Sequence, residues 1–335
     1  MTVGDAHVDA RGSPGRTCPL HYRYAPAALS RPADLEADTL YVAGGLYGNS
    51  YALEALLDLV NAETLRPALV FNGDFHWFDA TRCDFAAIDH VVLKHTALRG
   101  NVETEIAADD SAAGCGCAYP PEVSDREVER SNLIIEKLRE VARENPSSRA
   151  RLAALPMHLV AGVAGMRVGI VHGDAESLAG WSYSAASLKH KHGLLRLERH
   201  FALANVHIIA STHTCLPVAL TLESSLGSCA LFNNGAVGLP NFRGTQYGMV
   251  TRIATRPSRN ALYRAKIGPV HVEGVPVFYD YYAWKEWFLD TWPPGSPAHE
   301  SYFQRLVHGP SHELTAAVRH GVVMTEVSPN GTPRI

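Results

Sequence analysis

Apolar and polar positions along this chain follow two periods, and the switches between them mark the elements. "DTLYVAGG" is a continuous apolar run of strand length. "NSYALEALLDLVNAE" follows directly with apolar residues three and four apart, which predicts an amphipathic helix. "RPALVFNGD" predicts a second strand, "FAAIDHVVLKH" a helix and "TALRGN" a short strand. Residues 104–123, with "GCGCAYPP", read as an irregular loop. Ser124, with Glu127 three residues on, is a capping-box signal for the long helix of "SDREVERSNLIIEKLREVAREN". "MHLVAGVAGMRVGIVHGD" predicts a hairpin whose second strand ends at His172, and "SYSAASLKHKHGLLRLERHFALAN" is mostly helical. A run of strands follows, from "VHIIAS" to "VHVEGVPVFY". Strands alternating with helices, then a run of strands, predict an α/β fold of two packed sheets flanked by helices.

Two ends of the chain differ from this middle. Residues 1–37 are rich in Pro, Ala and Arg without periodicity and read as a flexible leader. Residues 256–335 add strands and an aromatic segment, "YDYYAWKEWFLDTWPPGSPAHESYFQRLVHGP", expected to be helical around a Pro-Gly break. That segment is a candidate for capping a substrate cleft, for a homo-oligomer contact, or for packing on the body.

Composition narrows the function classes. The 335 residues carry a formal net charge of −4 with no basic stripe, which argues against a nucleic-acid surface. No apolar run reaches about 18 residues, so no membrane span is expected. The N-terminal stretch has no apolar core of the signal-peptide kind, so a cytoplasmic location is expected and the six cysteines are expected as thiols.

Four strand ends carry a polar residue with a glycine or a short polar turn beside it: Asp74 in "FNGDF", Asn101 in "LRGNVE", His172 in "IVHGD" and His213 in "ASTHTCLP". Strand ends on one side of a sheet converge in space. One carboxylate, one amide and two imidazoles there form a donor set suited to a divalent transition metal such as Mn, Fe or Zn.

The order of these motifs resembles the calcineurin-like metallophosphoesterases, whose motifs run D-x-H, G-D-x-x-D, G-N-H-[DE], H and G-H-x-H. Here the corresponding stretches are "GGLYGNSYALEAL", "GDFHWFD", "GNVE", "VHGD" and "THTCLPVA", and "NNGAVGLPNFRGT" resembles a segment that follows in the bacterial branch. The resemblance covers about residues 38–255. It implies the two-sheet α/β/β/α sandwich of that family and a hydrolase acting on phosphomonoesters or phosphodiesters of a small phosphorylated substrate. It also implies two metal ions. One would take Asp74, Asn101, His172 and His213, which are all present. The positions of the other read Gly45, Tyr47, Asp74 and Cys215, so the second site is degenerate and one ion is expected. A catalytically weak metal-binding pseudo-enzyme that holds a phosphorylated ligand is the alternative function.

The remaining chemistry is assigned around this frame. Val102 stands where the family's leaving-group imidazole is implied, so His76 and Asp174 are candidates for a general acid, with His76 beside Trp77 equally readable as a surface residue. Glu103 is expected to orient a metal-ligating imidazole. Arg99 and Arg243 are candidates to pair with phosphate, or solvated surface charges. Cys115, Cys117 and Cys215 could rebuild the degenerate site as thiolates, could sit as inert thiols, or in the first two cases form a redox pair. Tyr47 is expected to line the cleft beside Asp74 as a neutral donor that substitutes for the second cation.

Overall fold

A computed structural model describes residues 13–109 and 112–326. Thirteen strands are found among them: β1 (Leu35–Ala37), β2 (Thr39–Ala43), β3 (Pro67–Asn72), β4 (Thr96–Leu98), β5 (His158–Val163), β6 (Met166–Val171), β7 (Ile208–Ser211), β8 (Val218–Ser224), β9 (Gly227–Asn233), β10 (Gly248–Ala254), β11 (Tyr263–Ile267), β12 (Val270–Val277) and β13 (Val323–Met324). The helices are α1 (Ser50–Asn61), α2 (Arg82–Val92), α3 (Asn101–Ala107), α4 (Asp125–Arg143), α5 (Pro146–Ala154), α6 (Lys191–Ala204), α7 (Tyr281–Thr291), α8 (Pro297–His308) and α9 (Leu314–Ala317).

The strands form two mixed sheets, ordered β1-β5-β6-β7-β9-β8 and β13-β11-β12-β10-β2-β3-β4. Alternation along each strand decides which face meets which layer. In β2, Leu40 and Val42 point between the sheets with Val70 of β3, while Tyr41 and Ala43 join Leu69 and Phe71 against helices. In β7, Ile208 and Ala210 point between the sheets, and Ile209 packs with Leu197 and Phe201 of α6 on the opposite side. The result is the α/β/β/α sandwich expected from the sequence. Each Leu, Ile, Val or Phe among them, once fully buried, contributes about 1.5–3 kcal/mol of transfer free energy, which fixes the register of the strands that carry the site.

The C-terminal segments belong to the same body. β12 pairs with β10 in antiparallel register from Gly248↔Val277 to Ala254↔His271. Trp284, Phe288 and Trp292 of the aromatic segment are buried in the helical layer. α4 begins as its capping box predicts, with Ser124 Oγ accepting from Glu127 N–H.

Two expectations are corrected. Residues 13–37 were expected within a flexible leader, but they carry two short 3-10 turns, Leu20–Tyr22 and Pro26–Leu29, and the strand β1, paired in parallel with β5. Tyr22 and Leu29 are fully buried, so tertiary contacts order a stretch with no local periodicity. Residues 1–12 of that expected leader lie outside the described residues. The irregular loop begins later than expected, because "NVETEIA" forms α3. No described helix is long and apolar enough to cross a membrane.

Candidate metal centre

The candidate residues follow the carboxyl ends of β3, β4, β6 and β7, where the two sheets open toward one edge. Asp74 follows Gly73 in a turn that holds both residues at positive φ, +75° and +52°. Gly73 is required there by space as well: a Cβ would lie 2.4 Å from Gly100 N and 2.7 Å from His172 Nδ1. Such conformations cost about 1–3 kcal/mol each and persist only where surrounding contacts impose them.

Three side chains converge on His172 Nε2. It lies 3.3 Å from Asp74 Oδ2, 3.2 Å from Asn101 Oδ1 and 3.1 Å from His213 Nδ1. His172, Asn101 and His213 are each at most 5 % exposed. The orientation of each group is fixed from behind. His172 Nδ1–H donates to Asn72 O at 2.8 Å, His213 Nε2–H donates to Cys117 O at 3.1 Å, and Asn101 Nδ2–H donates to Cys115 O at 2.9 Å. These carbonyls leave His172 Nε2, His213 Nδ1 and Asn101 Oδ1 facing inward as lone-pair atoms. Beside them stands a carboxylate oxygen.

Protons do not satisfy such a cluster. A single proton on His172 Nε2 serves one of three acceptors. The electrostatics show the same demand for positive charge. Burial opposes a charge on His172, yet the Asp74 carboxylate outweighs it and raises the pKa. Burial, then His172, press His213 down to about 3. Burial also opposes the charge on Asp74, and His172 still holds its carboxyl below the usual range. An ion bound at about 2.0–2.2 Å spaces neighbouring donors about 3.0–3.5 Å apart, and the measured separations fall there. The residues therefore fit a divalent cation. Asp74, His172 and His213 are the group of potential ligands found among the described residues, with donor atoms all within 4.8 Å of one another.

No protein-family model matches the sequence, and no curated protein matches it. Solved structures do. A metallophosphoesterase from Sphaerobacter thermophilus superposes with a TM-score of 0.52 at 17% identity, over 81% of this chain and 100% of that one. A hypothetical protein from Pyrococcus horikoshii OT3 gives a TM-score of 0.54 at 14% identity, over 82% of this chain and 99% of that one. The chain has the calcineurin-like metallophosphoesterase fold.

Within the metallophosphoesterase fold, the positions read as the degenerate half also come together. Tyr47 Oη lies 2.9 Å from Cys215 Sγ. A Cβ at Gly45 would stand 3.1 Å from both Tyr47 Cζ and Oη, so the phenol occupies the space a side chain at 45 would need. Tyr47 and Cys215 line one small cavity with Asp74 and His213, about 30 Å³ in volume. Tyr47 and Cys215 hold φ of 57° and 59°, as Asp74 holds 52°. Burial pushes the Tyr47 phenol well above its ordinary pKa, with Cys215 adding to it, and burial also raises the Cys215 thiol. Both groups stay neutral.

Several expected roles are corrected. His76 is neither a surface residue nor a general acid facing the cavity. It is fully buried, stacked on Phe85 at 3.9 Å, and clamped between Asp79 on Nδ1 and Asp89 on Nε2 at 3.0 Å. Burial opposes its charge, but the Asp79 and Asp89 carboxylates raise its pKa to about 10. Glu103 orients backbone, not an imidazole: its carboxylate accepts from the N–H groups of Asp74 (2.7 Å), Phe75 (3.0 Å), His76 (3.4 Å) and Gly100 (2.8 Å). This clamps the turn bearing Asp74 to the head of α3. Burial, with Asp74 next, raises its pKa to about 7. Arg99 donates to Ala153 O at 3.0 Å, and Arg243 makes an exposed ion pair with Glu313 at 2.7 Å; neither lines the cavity. Asp174 accepts from the N–H groups of Glu176, Ser177 and Ser182 and holds its own loop.

The thiolate site is corrected too. Among the described residues no group of three potential ligand side chains includes a sulfur. The "GCGC" loop serves chiefly through its backbone: the carbonyls of Cys115 and Cys117 orient Asn101 and His213, and Cys117 Sγ also accepts from Asn101 Nδ2 at 3.5 Å. Gly114 and Gly116, at φ of 62° and 65°, give the loop the shape that aims those carbonyls.

Sequence reasoning missed Trp181, Tyr302 and Arg305. Trp181 and Tyr302 line the small cavity, and Arg305 sits beyond it, donating to Cys215 O at 2.8 Å and Pro240 O at 3.0 Å. The available signal was a tyrosine and an arginine three apart in the aromatic segment, which places both on one face of α8.

Proposed function

We propose that this protein is a metal-dependent phosphoesterase that works with one divalent ion of the Mn, Fe or Zn kind, held by Asp74, Asn101, His172 and His213. The observation that carries this reading is the convergence of lone-pair atoms on His172 Nε2 at 3.1–3.3 Å, with each ligand's orientation fixed by a backbone carbonyl or turn. A bound ion supplies Lewis-acid polarisation of a phosphate oxygen and lowers the pKa of a water. The chain's own groups do the rest. Glu103 holds the Asp74 turn in place. Tyr47, neutral and on the cavity wall beside Asp74, offers a hydroxyl, paired with Cys215 Sγ at 2.9 Å, where a second cation would stand. A neutral donor stabilises developing charge less than an ion, and Val102 supplies no proton to a leaving group, so turnover is slow.

Those same two features favour a second reading, a protein that holds one metal and a phosphorylated ligand without turnover. Metal content per chain and hydrolysis of bis(p-nitrophenyl) phosphate with added Mn²⁺ separate the two. The phosphoesterase reading expects about one ion per chain and slow hydrolysis that His172→Ala abolishes together with the ion. One ion with hydrolysis no faster than the variant's establishes the binding protein. A wild-type chain that takes up no ion overturns both.

A further inference from the structure

We propose, on the basis of the phosphoester reading above, that this site takes phosphoesters of planar aromatic or heteroaromatic alcohols. Arg305 pairs with the phosphate, and Tyr119, Trp181 and Tyr302 enclose the ring.

The cavity at the metal ligands has room for roughly one water-sized group at about 30 Å³. It admits no organic moiety. A second cavity of about 240 Å³ adjoins it, and the two share Tyr119, Trp181, Cys215 and Tyr302 as walls. A phosphate that reaches the metal ligands therefore does so through one oxygen, and its other oxygens and its ester group lie in the outer cavity, which Arg305 lines. An apolar cavity of about 150 Å³ accommodates benzene, so the outer space fits one or two fused rings.

Its walls favour a flat ligand. Trp181 stands edge-on to His213 with ring centroids 5.4 Å apart, and Tyr119 lies against Trp181 at 6.0 Å. This aromatic wall runs outward from a metal ligand. The Trp181 indole is held by its N–H donating to Cys117 O at 3.0 Å, and Tyr119 Oη is bonded to Ser131 Oγ at 3.0 Å. Tyr302 also lines both cavities and meets Trp77 edge-on at 6.4 Å. Rings fixed in this way offer stacking surface with little left to order on binding.

Arg305 supplies the charge. It is half-buried on α8, one turn beyond Tyr302, and lines the outer cavity. Its Nε and Nη2 are held by two carbonyls, and no carboxylate among the described residues lies within ion-pair distance of it. Glu127, at the exposed rim, is engaged as the cap of α4. A half-buried guanidinium without a counter-charge, its plane fixed, is pre-set to meet phosphate oxygens. It lies next to Cys215, on the side of the cluster where the family pattern is degenerate.

The test is isothermal titration of the full chain, metal-free and Mn²⁺-loaded, with phenyl phosphate and with butyl phosphate. Wild type is expected to bind phenyl phosphate about 2- to 10-fold more tightly than butyl phosphate. Tyr302→Leu erases that preference and leaves Mn²⁺ content unchanged. Arg305→Gln weakens both ligands about 10-fold or more, and Arg305→Lys, which keeps the charge but not the fork, recovers part of the loss. Equal affinity for the two ligands in wild type, or wild-type affinity in Arg305→Gln, overturns the inference. A chain that takes up no Mn²⁺ yet keeps the phenyl preference, lost in Tyr302→Leu, upholds the subsite while the metal reading fails.

Discussion

Placing an aspartate at position 45 tests whether Tyr47 fills the second half of the site. Gly45 has φ +67°, and a left-handed conformation costs a side chain about 1–2 kcal/mol. The new Cβ would stand 3.1 Å from Tyr47 Cζ and Oη and 3.2 Å from Ala236 Cα. Neither neighbour yields freely, because one is backbone and the phenol is tied to Cys215 at 2.9 Å. Overpacking of this kind adds about 1–3 kcal/mol. Gly45→Asp alone therefore loses about 2–5 kcal/mol, which lowers Tm by roughly 3–7 °C in a chain of 335 residues. Adding Tyr47→His and Cys215→His removes the phenol contacts and leaves the backbone term, about 1–2 kcal/mol, with the single contact to Ala236 Cα. The triple variant also offers the carboxylate and two imidazoles that the family pattern assigns to a second ion. Thermal unfolding in chelator gives the stability of each variant, and elemental analysis after Mn²⁺ loading gives the metal count. The triple variant is expected to regain at least half of the lost Tm and to move from one ion toward two, with faster phosphodiester hydrolysis. Gly45→Asp alone with wild-type Tm would refute the packing argument. A triple variant that folds and still holds one ion would show that more than these three positions closes the pocket.

Other outcomes follow from the same geometry. Glu103→Gln replaces an acceptor of four backbone N–H groups with a group that accepts at only one oxygen; metal affinity is expected to drop about 10- to 100-fold in a metal titration, with the fold retained by circular dichroism. Cys115→Ala with Cys117→Ala keeps one ion per chain, because the loop orients Asn101 and His213 through carbonyls; loss of the ion would show that the sulfurs matter. His76 carries a pKa raised from 6.5 to about 10, so its clamp contributes fully below 6.5 and the contribution disappears as pH rises through about 10. Chemical denaturation from pH 7 to 11 should show that decline in the wild type and a shallower one in His76→Gln; parallel slopes would contradict the assignment.

The sequence alone determined the layers of the fold and the meeting of four polar side chains. Period-two and period-3.6 runs are local, and the polar residues that follow β3, β4, β6 and β7 reach one edge once those strands lie in sheets, so Asp74, Asn101, His172 and His213 could be read together. Gly45, Tyr47 and Cys215, which occupy corresponding places in the motif order, also meet in space. What only the tertiary structure decided was every contact between distant segments that obeys no local period. His76 was weighed as a general acid or a surface residue because it lies two residues beyond Asp74, but it is buried in a clamp whose second carboxylate, Asp89, comes from α2. The "GCGC" loop attracted attention through its sulfurs, while its use lies chiefly in carbonyls that every residue possesses and no sequence pattern marks. Arg305 lies 90 residues from Cys215 in the chain and reaches it only because α8 folds back over the site; its spacing from Tyr302 marks a shared helix face but not what that face meets.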